Sequence, residues 1–117
     1  MEQVDWFTAV QTCLGAGMRL IQINSEAKQN VIQSVLNQYK VESSSWIGLT
    51  DQRLEGAWRW GDGSLALFNN WSGMENSDGK NCASIGGYGT PLSYRYKWSP
   101  IPCEYKDYWY FVCETYE

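Results

Sequence analysis

Apolar residues recur at helical spacing only in the first third of the chain. Behind Asp5, whose side-chain oxygen suits a helix N-cap, Trp6, Ala9, Val10 and Cys13 fall on one face, and Gly15 and Gly17 end the run. A short apolar strand, Leu20-Ile21-Gln22-Ile23, follows. Asn24-Ser25-Glu26 then reads as a second helix start with an acid in its first turn. Ala27, Val31, Ile32, Val35, Leu36 and Tyr39 give that helix an apolar stripe reaching residue 40.

After residue 42 the helical period disappears, and short β-type runs alternate with Gly, Asn, Asp and Ser. The expected strands are Trp46-Ile47-Gly48-Leu49, Trp58-Arg59-Trp60, Cys82-Ala83-Ser84-Ile85, Tyr94-Arg95-Tyr96-Lys97-Trp98 and the run from Tyr108 to Cys113. Gly61-Asp62-Gly63 is a tight turn. Two helices followed by several strands give an α+β class, with the helices segregated from antiparallel sheets. No repeat or linker divides the chain, so residues 1–117 form one domain. Residues 62–81 carry no sustained strand pattern yet hold Trp71, Glu75, Asn76, Asp78, Lys80 and Asn81. A long irregular loop of that kind inside a small domain tends to be functional, which makes it the candidate site.

Composition narrows the function classes. The 117 residues are 44% hydrophobic and 15% aromatic, which places the chain among folded domains. A net charge of -4 with scattered Lys and Arg argues against a nucleic-acid partner, which needs a dense basic face. No apolar run approaches the roughly 20 residues of a membrane-spanning helix. The chain has no histidine, so Ser-His and Cys-His nucleophilic catalysis are excluded. The acid pairs Asp51 with Glu55 and Glu75 with Asp78 lack any framing motif of a glycosidase. The expectation is a binding module, not an enzyme.

Cys13, Cys82, Cys103 and Cys113 allow three pairings if all are oxidised. The lack of CxxC spacing and of histidine argues against zinc. Disulfides in turn imply an oxidising address, secreted or in an ectodomain. Joining Cys13 to Cys113 would tie the two ends of the domain, and Cys82 and Cys103 end opposite sides of one hairpin-like unit, which makes this the economical choice of the three.

An ordered set of short motifs sharpens the reading. Trp6-Phe7-Thr8-Ala9 ahead of Cys13, Trp46-Ile47-Gly48-Leu49-Thr50-Asp51, Glu55-Gly56-Ala57-Trp58-Arg59-Trp60, Asp62-Gly63-Ser64, Asn70-Trp71, Cys82, Trp98, Cys103 and Cys113-Glu114 together resemble the C-type lectin-like domain. The resemblance implies the C-type lectin-like fold and the pairings Cys13–Cys113 and Cys82–Cys103. Family members usually carry a strand before the first helix; with Met1 to Val4 ahead of Asp5, that strand is expected to be short or missing.

Sugar-binding members hold calcium through oxygen ligands, of which the ion takes roughly six to eight. Where they carry Glu-Pro-Asn or Gln-Pro-Asp, this chain has Met74-Glu75-Asn76, leaving Asn76; a one-residue shift would restore Glu75 and displace Asn76. Their acids before the third cysteine correspond to Lys80-Asn81, and their Asn-Asp after the strand tryptophan to Ser99-Pro100. Asp51 and Glu55 match an auxiliary calcium site, and the Lys80 ammonium is weighed as a replacement for that ion. The resemblance therefore implies a recognition domain whose calcium-bridged sugar site is degenerate, with no cofactor. The candidate contacts are Glu75, Asn76, Asp78, Lys80, Asn81, Tyr94, Tyr96 and Ser99, with Tyr94, Tyr96 and Trp98 on one strand face by alternation. The ligand class is a protein or a glycan. The competing readings are a calcium-dependent lectin using the shifted register, and a structural role as a subunit of a homo- or heterodimer.

Overall fold

The computed structural model describes residues 3–73, 79–108 and 110–115. Helix α1 spans Trp6–Gly15, and Asp5 caps it by accepting from the Thr8 N–H at 2.8 Å. Strand β1 is Met18–Leu20, and α2 is Glu26–Gln38, capped by Ser25. There follow β2 (Ser45–Thr50), β3 (Arg59–Trp60), β4 (Cys82–Ile85), β5 (Trp98–Ile101), β6 (Tyr110–Phe111) and β7 (Cys113–Thr115).

The strands form two sheets. β1 pairs antiparallel with β7. The larger sheet runs β3-β2-β4-β5 in antiparallel pairs, with β6 laid parallel to β2. Ile21 joins the sheets, donating its N–H to Val112 O and accepting at its carbonyl from Gly48 N, each at 2.8 Å. That closeness requires glycine at position 48, because a Cβ there would stand 2.8 Å from the Leu20 carbonyl oxygen. Val4 makes a single bridge to Tyr108, which is all the pairing the described N-terminal residues contribute.

One core lies between α2 and the large sheet and includes Ile32, Leu36, Ile47, Leu49, Trp60, Ile85 and Trp98. The second includes Ala9, Cys13, Leu20, Trp46, Cys82 and Cys103. The disulfides are Cys13–Cys113 and Cys82–Cys103, with Cα separations of 5.5 and 5.0 Å, and both lie in or against the second core.

Four sequence expectations need correction. The strand expected at Leu20–Ile23 lies at Met18–Leu20, where residues pair with β7, while Ile21 to Ile23 are buried outside the ladder. In α2 the buried positions are Gln29, Ile32 and Leu36, while Val31 and Tyr39 are exposed. The run Tyr94 to Lys97 is a turn in which Tyr94 N and Arg95 N both donate to Pro91 O and Tyr96 adopts φ 60, so Tyr94, Tyr96 and Trp98 do not share a strand face. The strand instead runs onward through Ser99 and Pro100. Finally, the run from Tyr108 to Cys113 is not one strand: β6 joins β2, and β7 joins β1.

Candidate functional site

The antiparallel register of β2 and β4 pairs Thr50 with Cys82, which sets Asp51 against Asn81. Asp51 is buried, with 1% of its surface exposed. Its N–H donates to Asn81 O at 3.0 Å, and the Thr50 hydroxyl donates to the same carbonyl at 2.6 Å. Its Oδ2 accepts from Gly56 N at 2.9 Å. The Asn81 side-chain nitrogen completes the cluster, donating to Asp51 Oδ1 at 2.9 Å and to Glu55 Oε1 at 3.2 Å. A buried carboxylate is thus satisfied by neutral donors, as burial of such a group demands.

With the Asn81 amide turned so that its nitrogen faces both carboxylates, and a backbone N–H on the remaining Asp51 oxygen, these groups satisfy one another without an ion. Among the described residues no three or more Asp, Glu, Cys or His are assembled to hold a metal ion. The half-buried Lys80 sits one residue before Asn81, and it is the Asn81 amide that meets the acids. Glu75, Asn76 and Asp78 lie outside the described residues.

Tyr94 and Ser99 do come together, in a pocket of about 190 Å³ with Ser44, Ser84, Thr90 and Tyr108 along its walls. The pocket is rich in hydroxyls and backed by aromatic rings. Tyr108 packs edge-on against Trp46 and Tyr105, each at a centroid distance of 4.9 Å, and its OH lies 3.2 Å from Ser84 Oγ. Burial pushes the Tyr108 hydroxyl above the usual phenol value, against the opposing pull of hydrogen bonds from Ser84 and Ser44, so it stays a protonated donor. Ser99 Oγ is 3.0 Å from Ser72 Oγ, and 9% of the residue is exposed. Tyr94 is 39% exposed and forms the open rim.

Tyr96 faces elsewhere. Its carbonyl accepts from Gln29 Nε2 at 2.8 Å and Asn70 Nδ2 at 2.9 Å, and with Arg95 it lines a shallow polar groove against α2. Asn70, which opens the formal N-glycosylation sequence Asn70-Trp71-Ser72, is held at both ends of its amide, since its Oδ1 also accepts from Lys97 Nζ at 3.2 Å. Sequence reasoning missed Ser84, Thr90 and Tyr108 as pocket residues. Alternation along Cys82-Ala83-Ser84-Ile85 puts Ser84 on the face opposite Ala83 and Ile85, which was a usable signal for that one position.

Comparison with known proteins adds an independent line. The model of the Lectin C-type domain matches residues 2–115. CD209 antigen-like protein C of Mus musculus is 32% identical over 117 residues, covering 96% of this chain and 58% of that protein. C-type lectin domain family 4 member M of Symphalangus syndactylus is 32% identical over 96% of this chain and 25% of its own length. The chain thus spans less than two thirds of these curated relatives. The C-type carbohydrate-recognition domain of cow CD23, solved in the presence of a GlcNAc2Man3 oligosaccharide, superposes with a TM-score of 0.73 at 27% identity, covering 96% of this chain and 78% of that one.

Proposed function

The chain belongs to the Lectin C-type domain family, and on that premise we propose that it is an extracellular recognition module, acting without catalysis, that holds a glycan by direct contact and not through a bridging calcium ion. The observation that carries this reading is the state of Ser99-Pro100, the pair that stands where the family's sugar binders place an amide and a carboxylate. Ser99 is nearly buried with its hydroxyl against Ser72, and Pro100 lies in the ladder opposite Ala83. This strand therefore offers a cation neither of the two side-chain ligands.

The hydroxyl pocket supplies an alternative way of holding a sugar. Its serine, threonine and tyrosine hydroxyls both donate and accept, matching the vicinal hydroxyls of a pyranose, and the Tyr94 ring gives a flat apolar face at the rim. Relatives named for carbohydrate recognition make a glycan the first ligand to test. The 78% exposure of Leu92, on the same turn as Tyr94, favours a protein surface as the second reading.

The test is a glycan array screened in calcium and in excess chelator, with Tyr94→Ala as the site variant. Binding that survives chelation and falls by about tenfold in the variant supports the reading. Specific sugar binding abolished by chelator overturns it.

A further inference from the structure

A second cavity, of about 340 Å³, opens between α1 and the β3 turn and shares no lining residue with the hydroxyl pocket. Its walls are mostly apolar and come from Trp6, Val10, Leu14, Leu20 and Trp60. Two of these walls are fixed. The Trp6 indole donates to Ile47 O at 3.0 Å, and Trp60, 2% exposed, packs edge-on against Trp98 at 5.5 Å. The floor and turn include Gly48, Gly61 and Gly63, and a Cβ at Gly61 would meet only Gln22 Oε1, at 3.8 Å. At Gly61, therefore, no side chain narrows the cavity.

Its rim is cationic in a chain of net charge -4. Arg19, Arg53 and Arg59 face a single carboxylate there, Asp62. Asp62 is already committed: the Ser64 hydroxyl and N–H and the Gln22 amide all donate to it, which holds its carboxyl down to about 2. Arg19 pairs with Glu114, and Arg59 donates to Gly63 O at 2.9 Å. The exposed Arg53 guanidinium takes no hydrogen-bond or ion-pair partner among the described residues.

We propose that this cavity binds a small amphipathic acid, its hydrocarbon or aromatic body against Trp6, Val10, Leu14 and Trp60 and its acid group at Arg53. The volume is at the small end of the ligand-site range, roughly 300 to 1,000 Å³. A peptide is a poor occupant, because its backbone N–H and C=O groups would be buried against walls that offer few partners. An acid supplies what both halves of the site lack: apolar surface for the indoles and an anion for an unpaired guanidinium.

The experiment titrates the folded chain with anilinonaphthalene sulfonate, following probe emission and heat, and then adds competitors. Saturable binding of one probe, displaced by dodecanoate but not by dodecyltrimethylammonium, is expected. Arg53→Glu should weaken it by about tenfold, and Val10→Trp, which fills the cavity, should abolish it while cooperative thermal unfolding of the fold persists. Tyr94→Ala should leave it unchanged, which separates this site from the glycan pocket. No probe binding to the folded protein, equal displacement by the cationic competitor, or an affinity untouched by Arg53→Glu would overturn the proposal.

Discussion

The side-chain nitrogen of Asn81 donates to Asp51 Oδ1 across 2.9 Å, and the same amide reaches Glu55 Oε1. A neutral donor thus sits between two acids, one of them almost fully buried. On the proposed calcium-free reading this donor holds that part of the loop, so addition or removal of the ion should leave the thermal midpoint of the protein unchanged. Asn81→Asp converts the donor into a third carboxylate beside a buried one. Without calcium the variant should lose about 1–3 kcal/mol, the cost of an unpaired buried group and of like charges in contact. With millimolar calcium the three carboxylates become oxygen ligands, and the variant alone should regain stability. Scanning calorimetry of both proteins in calcium and in chelator checks this; a calcium-dependent midpoint in the unmodified protein would refute it.

Glu114 anchors the small sheet to α2. Its carboxylate pairs with Arg19 at 3.0 Å and with Lys28, and accepts from Gln22 N at 3.0 Å. Burial pushes its carboxyl up, but Lys28, the Gln22 N–H and Arg19 outweigh this, so it titrates below the ordinary glutamate value. A depressed folded-state value means that the unfolded chain takes up the proton first as pH falls. The stabilisation is therefore complete above about pH 5 and is lost as pH drops through about 4 and below. Glu114→Gln should cost about 1–3 kcal/mol near neutrality and flatten the acid limb of the stability curve, as urea midpoints measured at successive pH values would show. An unchanged acid limb would contradict the assignment.

The two disulfides should differ in worth. Cys13 and Cys113 are 100 residues apart, Cys82 and Cys103 only 21. Loop-closure entropy then assigns about 4.7 kcal/mol to the first and about 3.3 to the second. Paired Cys→Ala variants unfolded in denaturant should fall in that order, with Cys13→Ala/Cys113→Ala the weaker protein; the reverse order would show that strain or residual structure dominates.

Much of this arrangement was legible in the chain, and where it was not the reason is physical. Asp5 and Ser25 announced their helices because capping is local. Tyr94-Arg95-Tyr96 carries strong β propensity but turns, because the Pro91 carbonyl collects the Tyr94 and Arg95 N–H groups and the Tyr96 N–H donates to Gly86 O. Ser99-Pro100 reads as a strand breaker yet lies in β5. There Trp98 directs its N–H and C=O outward to Asn70 and Ser72, so Pro100, two residues on, turns its donorless nitrogen away from β4. The partnership of Asn81 with Asp51 depends on the register of strands far apart in sequence, which no local pattern encodes. The 190 Å³ pocket was half visible for the same reason: Tyr94 and Ser99 were singled out, but Thr90 and Tyr108 reach it only through long-range packing.

Gln29 marks the limit of the apolar-stripe reading and gives the last prediction. It sits on the buried face of α2 beside Ile32 and Leu36 with 3% of its surface exposed, a polar residue outside the apolar stripe. Its Nε2 donates to Tyr96 O at 2.8 Å and to Gln33 Oε1 at 3.0 Å, while its Oε1 accepts from the Trp98 indole N–H at 3.0 Å. Trp98 is fully buried, so this acceptor is what satisfies its indole. Gln29→Leu keeps the size but leaves that N–H without an acceptor, at a cost of about 1–3 kcal/mol. The Tyr96 carbonyl keeps its bond from Asn70 and adds little to the loss. Gln29→Glu restores an acceptor but puts a carboxylate oxygen against the Tyr96 carbonyl, and should be no better at neutral pH, recovering only as acid protonates it. Denaturant midpoints for the two variants at neutral and acid pH decide the matter. If Gln29→Leu were as stable as the unmodified protein, the indole would have to find another acceptor, and the bond between α2 and β5 would not be what holds the 94–97 turn against the helix.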